Sequence, residues 1–341
     1  MELSGTILAG EDYEPLEGRV VVEDGEIAAV ERTATDSNDI VCPAFVNAHT
    51  HIGDSIAKEA GRGLSLDELV APPDGLKHRL LREASRNEKI QAMARSLSFM
   101  EAGGTGAFLE FREGGLEGVE ALAEAAAAVG VEPVVFGRGG IDVLEAADGF
   151  GASGAHDDDF STARSAAREA GKPFAIHAGE VDADDINPAI DLEPDHVVHM
   201  VHAESMHLER VGDSGTPVVV CPRSNLVTGV GLPPVRALLD RTTVALGTDN
   251  VMLNSPSMFR EMAYTAKLFD VDAAEVLRMA TAAGAEIAGL DCGVLEAGRP
   301  GALVVLDGDS DNLAGVRDPV RAVVRRAGVG DVRQVHLPRR T

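Results

Sequence analysis

From Ala44 to Gly247, short apolar runs alternate with alanine-rich stretches, and no other feature of the chain limits its fold as sharply. The apolar runs are Ala44–His49, Thr105–Phe111, Glu132–Phe136, Asp148–Ala152, Pro173–His177, His196–Val201, Pro217–Cys221 and Thr243–Gly247. Between them lie segments that suit helices, such as Lys89–Gly103, Gly118–Val129, Ser161–Ala170 and Pro233–Asp240. A strand, a helical crossover and a second strand form a parallel pair. Eight such strands over this length close most economically as a (β/α)8 barrel. The expected fold class is therefore α/β, a TIM-type barrel.

Before Ala44 the texture is that of a small β module. Strands are predicted at Glu2–Leu8, at Arg19–Glu23 after a turn at Leu16-Glu17-Gly18, and at Ile27–Glu31 after Asp24-Gly25. Short strands return at the other end, at Gly301–Leu306, Ala322–Arg326 and Val332–His336. Pairing of the two ends gives one discontinuous β domain, residues 1–43 and 293–341, around a barrel of residues 44–292. No flexible linker or internal repeat interrupts this plan.

Composition narrows the partners. The 341 residues carry 56 acidic and 30 basic side chains, a net charge of −26. Such a surface repels nucleic acid and anionic membranes. Lysine is scarce: Lys58, Lys77, Lys89, Lys172 and Lys267 are the whole set. Many carboxylates, little lysine and no tryptophan suit a salt-rich cytoplasm, where screening relieves self-repulsion; an ordinary acidic bacterial enzyme is the alternative. The start, MELSGTILAG, lacks a basic segment followed by an apolar one, and no run approaches the ~18 apolar residues of a membrane span. Cys42, Cys221 and Cys292 are scattered, which fits a reducing interior. A soluble cytoplasmic enzyme is expected, with homo-oligomerisation open.

Four strand ends carry chemistry. In NAHTHIGD, alternation puts His49 and His51 on one side of the strand and Thr50 on the other. Two imidazoles at the mouth of a barrel can occupy adjacent positions on one ion. In FAIHAGE, His177 ends the fifth strand, and Glu180 can turn back over the same mouth as a proton shuttle. In DHVVHMVHAES, His199 and His202 are an odd number apart, so only one can face inward. In VALGTDN, Asp249 follows the eighth strand. Taken singly, each has a plain explanation, a core histidine or a helix cap; together they point to one metal centre.

This order of HTH, HAGE, HMVH and LGTDN resembles the amidohydrolase superfamily, in particular its adenosine, cytosine and S-adenosylhomocysteine deaminase-like branch. CPRSNL (Cys221–Leu226) and VLEAGRPGALVVLDG (Val294–Gly308) are similar to further segments of that branch, although Gly301-Ala302 stands where an Ala-Asp pair is usual. The resemblance implies His49, His51, His177 and Asp249 as metal ligands, Glu180 as the shuttle and His199 as the strand-six histidine. Members with two ions use a modified lysine on strand four. Here DGFGASGA has none, so one divalent ion is expected, zinc by default and iron as the alternative. The ion lowers the pKa of a bound water to about 7. Asp249 and His199 would orient that water, and Glu180 would protonate the ring nitrogen beside the attacked carbon.

The implied activity is hydrolytic deamination of a nucleobase-, nucleoside-, nucleotide- or pterin-like ring. Cleavage of a cyclic or linear amide C–N bond is the alternative, and a non-catalytic ligand-binding barrel the second. The loops after the strands also carry Lys77, His78, Arg112, Arg138 and Arg223, with Asn225 beside the last. Arginine forks suit phosphate or carboxylate. An anionic small-molecule substrate contacting Lys77, Arg112, Arg138, Arg223 and Asn225 is one expectation. Pairing of these cations with neighbouring acids such as Glu113 is the other.

Overall fold

A computed structural model describes residues 1–70 and 74–338. The last three residues of the expected β domain, 339–341, and residues 71–73 lie outside the described residues.

Two sheets organise the chain. The N-terminal strands are β1 (Glu2–Ala9), β2 (Glu14–Glu23), β3 (Glu26–Arg32) and β4 (Ile40–Pro43). The barrel strands are β5 (Phe45–His51), β6 (Thr105–Arg112), β7 (Glu132–Gly137), β8 (Gly149–Gly154), β9 (Phe174–Ala178), β10 (His196–His199), β11 (Val218–Val220) and β12 (Val244–Leu246). They are followed by a two-residue strand β13 (Asp249–Asn250), then β14 (Leu303–Leu306) and β15 (Val332–His336).

Strands β5 to β12 pair in sequence order, all parallel, and β13 pairs back onto β5 through Asp249–Thr50 and Asn250–His51. That return closes the sheet into the (β/α)8 TIM-type barrel. It depends on a close approach at Gly247, where a Cβ would sit 2.7 Å from the Cβ of His49. Helices cover the outer face, so inner strands such as β11 (VVV) and β12 (VAL) are buried throughout, as parallel sheets require. The helix Arg86–Ala102 begins three residues before its predicted start, because Ser85 and Glu88 form a capping box. No helix among the described residues is long and apolar enough to cross a membrane.

The second sheet has the order β15-β14-β4-β1-β2-β3, so both chain ends contribute to it. Three expectations need correction here. The Leu16-Glu17-Gly18 segment lies inside β2, paired with β1, and the turn falls earlier, after Ala9. Strand β4 (IVCP) went unpredicted; it slots between β1 and β14. Ala322–Arg326 is not a strand but part of a helix, Pro319–Arg325. Asp318 caps that helix by accepting from the Arg321 N–H, Pro319 holds its first position, and Val320, Val323 and Val324 form a buried stripe.

Candidate functional site

The mouth of the barrel gathers the strand-end histidines. On β5, His49 and His51 point inward, while the Thr50 hydroxyl turns to the neighbouring strand, 2.7 Å from Glu110 Oε2 and 2.9 Å from the Leu109 carbonyl. His177 on β9 brings its Nε2 to 3.2 Å from His49 Nε2. The rings are held from behind: His51 Nδ1 lies 3.1 Å from the Phe111 carbonyl and 3.0 Å from Glu113 Oε1, and His177 Nδ1 lies 3.0 Å from the Ala152 carbonyl. These contacts place the ring proton on Nδ1 and turn the Nε2 lone pairs toward one another. Burial pushes His49 down to about 4 and His51 to about 3, and drives His177 well below the usual range, so all three are neutral.

Asp249 completes the group. Its Oδ1 lies 3.4 Å from His49 Nε2 and 3.6 Å from His51 Nε2, and its Oδ2 accepts from the Ser224 hydroxyl at 2.6 Å. Burial opposes its charge, but the surrounding histidines hold Asp249 well below the ordinary carboxylate range.

Strand β10 ends at His199, two residues before the predicted end, because His199 and Met200 both adopt positive φ, 83° and 54°. His199 and His202 therefore do not share a regular strand, and alternation does not decide between them; the turn does. It leaves the His199 ring at the mouth, where Nε2 lies 3.5 Å from Glu180 Oε2 and Nδ1 lies 3.3 Å from Asn225 Nδ2. His202 falls beyond the strand, with its backbone N–H donating to the Gly179 carbonyl. Asp249 also has positive φ, 59°. Strained backbone at two such positions is typical of functional sites. His49, His51 and His177 form one group of close donor atoms, and Glu180, His199 and Asp249 a second.

The basic loop residues divide. Lys77 and Arg138 line the same cavity as Glu180 and His199, a space of about 160 Å³. Both are paired with Glu113: Lys77 Nζ lies 2.7 Å and Arg138 Nη1 3.1 Å from its Oε1. Arg112 and Arg223 do not line the cavity. Arg112 is buried against Gly53 and donates from Nε to the Gly118 carbonyl. Arg223 is locked to Glu261, Nε to Oε2 at 2.6 Å, and donates from Nη2 to the Ser255 carbonyl. Asn225 meets His199 rather than the cavity, and His78 lies 3.0 Å from the Val70 carbonyl. Convergence of all these cations on one mouth is thus corrected: two reach it, and the others saturate local acceptors.

Similarity to known proteins agrees with this geometry. A model of the amidohydrolase family matches residues 40–141 and 139–335. The chain belongs to the amidohydrolase family. It is 35% identical to a putative aminohydrolase of Methanothermobacter thermautotrophicus over 95% of this chain and 94% of that protein. It is 29% identical to a 5-methylthioadenosine/S-adenosylhomocysteine deaminase of Halobacterium salinarum, covering 98% and 90% respectively. In fold it is similar to a zinc-bound adenosine deaminase from Xanthomonas campestris, with a TM-score of 0.76, 20% identity and coverage of 98% and 90%. This amidohydrolase is accordingly a hydrolase of C–N bonds.

The donor set of this amidohydrolase fits a divalent ion: His49, His51 and His177 offer three neutral nitrogens within 4.8 Å of one another beside the Asp249 carboxylate. The buried His49 Nδ1 has no hydrogen-bond partner among the described residues. Several residues of the site gave no distinct signal. Glu110, pushed up to about 8 by burial, also accepts the Ile52 N–H at 2.7 Å and so anchors the turn after the histidine strand. Asp54, pushed up to about 7 by burial, lies 3.4 Å from Lys77. A lone acid inside TGAFLEFR, and an acid closing NAHTHIGD, were the available hints.

Proposed function

We propose that this amidohydrolase is a metal-dependent hydrolytic deaminase of a small nitrogen heterocycle, a nucleobase-, nucleoside-, nucleotide- or pterin-like ring. The observation that carries the proposal is the Glu180–His199 pair, 3.5 Å apart, beside Asp249 at the edge of the three-histidine group. His49, His51, His177 and Asp249 would hold one divalent ion, zinc on the strength of three neutral nitrogens and one carboxylate. When bound, that ion supplies Lewis acidity and an acidified water.

The other steps fall to side chains. Burial raises Glu180 above the ordinary carboxylate range, which suits a carboxyl that must hand a proton to a ring nitrogen near neutral pH. His199 accepts from the Asn225 amide at Nδ1, which leaves its proton on Nε2, facing Glu180 and the cavity. From there it can donate to the developing charge on the attacked carbon's substituent. Asp249, fixed by Ser224 and Asn250, is placed to receive the proton of the attacking water. Leu66, Val70 and Val181 give the cavity the apolar surface that a ring needs.

The same reading takes residues 1–43 and 293–341 as a supporting β domain and places the enzyme in a salt-rich cytoplasm, supported by the −26 charge. The test is ammonia release by metal-replete protein in molar salt against bases, nucleosides, nucleotides and pterins. Substrate consumption with ring opening and no ammonia would point to amide hydrolysis instead.

A further inference from the structure

The chemistry described so far uses part of the cavity. Two cations that line the same cavity have no part in it. Lys77 is buried, and although burial opposes its charge, Asp54 and Glu113 hold it above the ordinary lysine range. Arg138 is partly open, with 15% of its side chain exposed. Both line the cavity, and both reach the same oxygen of Glu113. Their cationic nitrogens are therefore close enough together for a single anionic group to touch both.

Lys77 spends its three N–H groups on Glu113, Asp54 and Asn250, whereas Arg138 keeps donors to spare. Of the five side-chain N–H groups of Arg138, one on Nη1 has a hydrogen-bond partner among the described residues, and the residue lines the cavity. A guanidinium presenting free donors next to an ammonium is the arrangement that grips carboxylate or phosphate oxygens. Asp157 also lines the cavity, but its Oδ2 accepts the Gly154 N–H and so is engaged in its own loop. Glu180, Asp157 and Asp249 line the cavity as well, so the two cations stand against an acidic remainder.

From these residues we infer that the substrate carries an anionic oxygen group, held by Arg138 beside the charge of Lys77 while the ring lies over Glu180 and His199. The inference rests on the reading of the chain as a deaminase of a small ring. Size favours a compact molecule. The cavity of about 160 Å³ is well below the roughly 300–1,000 Å³ of sites that take drug-sized ligands. A heterocycle bearing a carboxylate fits this space; a phosphate ester is the second source of the same chemistry.

The test pairs neutral and acidic probes on the metal-loaded protein. Ammonia release is compared for pterin and pterin-6-carboxylate, cytosine and 5-carboxycytosine, and adenosine and its 5′-monophosphate. Binding is compared for uracil and uracil-6-carboxylate, which have no amino group to lose. The acidic member of each productive pair should be preferred about 10- to 100-fold, the worth of a hydrogen bond to a charged group. Arg138→Met should shrink that preference by a similar factor while metal content and melting temperature hold. Lys77→Gln serves as the second variant. Preference for uracil-6-carboxylate that Arg138→Met abolishes supports the subsite even where nothing is deaminated. Ammonia release without preference for acids, or no preference in the binding pair, overturns the subsite and leaves the deaminase reading standing.

Discussion

Two groups of residues at the cavity are built on different principles. On the reacting side, His49, His51, His177 and Asp249 stand on the ends of β5, β9 and β13, and His199 ends β10. They are nearly all buried, and backbone carbonyls fix the outer nitrogens of His51 and His177. Adjoining them through the Glu113 contact with His51, Lys77, Glu113 and Arg138 come from loops and a short helix and hold one another by charge. Strand-borne groups are set by the barrel and can define a reaction; loop-borne groups change without disturbing the sheet and can define which molecule is accepted. The difference predicts that damage on the first side appears in turnover and damage on the second in affinity.

The largest effect belongs to the reacting side. Glu180→Gln should keep its metal and lose turnover by about 10²–10⁴-fold, the usual contribution of a general acid–base group. Metal analysis alongside kcat decides the point, because loss of the metal would make Glu180 a ligand and erase the distinction drawn here. His199→Ala should likewise lower kcat steeply with metal retained.

Arg223 sharpens the contrast with Arg138. It lies off the cavity and neutralises Glu261, a fully buried acid. Arg223→Met should cost about 3–5 kcal/mol in denaturant unfolding, since breaking a buried pair strands the other charge. Stability changing by less than 1 kcal/mol would mean that Glu261 is protonated and the pair is not ionic.

Beneath the reacting group, His196 is buried beside Phe136 and pushed down to about 3 by burial. Its folded pKa lies below the unfolded value near 6.5, so protons favour the unfolded chain. Stability is present above that value and is lost as pH falls from about 6.5 toward 3. Each such histidine contributes a slope of about 1.4 kcal/mol per pH unit within this window. His196→Gln should flatten the slope by about one histidine's share; an unchanged slope would show that His196 is not buried in its neutral form. His202→Ala, beyond the strand end, should shift stability by no more than about 0.5 kcal/mol with little effect on kcat.

The strand side was legible because its spacing is dictated by the backbone. An apolar run ending in His-x-His can present both rings to one side only if it is a strand, and β5 does so. The loop side was not legible in the same way. Nothing in FGRGG or CPRSN separates an arginine that faces a cavity from one that pairs with a buried acid. That depends on where Glu113 and Glu261 come to rest, and Glu261 is 38 residues from its partner. At the small sheet, Ala322–Arg326 misled because β-branched residues favour strands, while the Asp318-Pro319 start imposed a helix. The end of β10 was misplaced for a related reason: HVVHMV reads as one strand, but positive φ at His199 and Met200 breaks it.

One ion held by His49, His51, His177 and Asp249 is expected to work with Glu180 to remove ammonia from a ring. The most direct measurement titrates zinc into metal-stripped protein while following ammonia release from a panel of bases, nucleosides and pterins in molar salt. The account predicts ammonia rising with metal and levelling near one ion per chain, and no such rise for Glu180→Gln at equal occupancy. Activity that needs two ions per chain, or substrate consumed without ammonia, would contradict it.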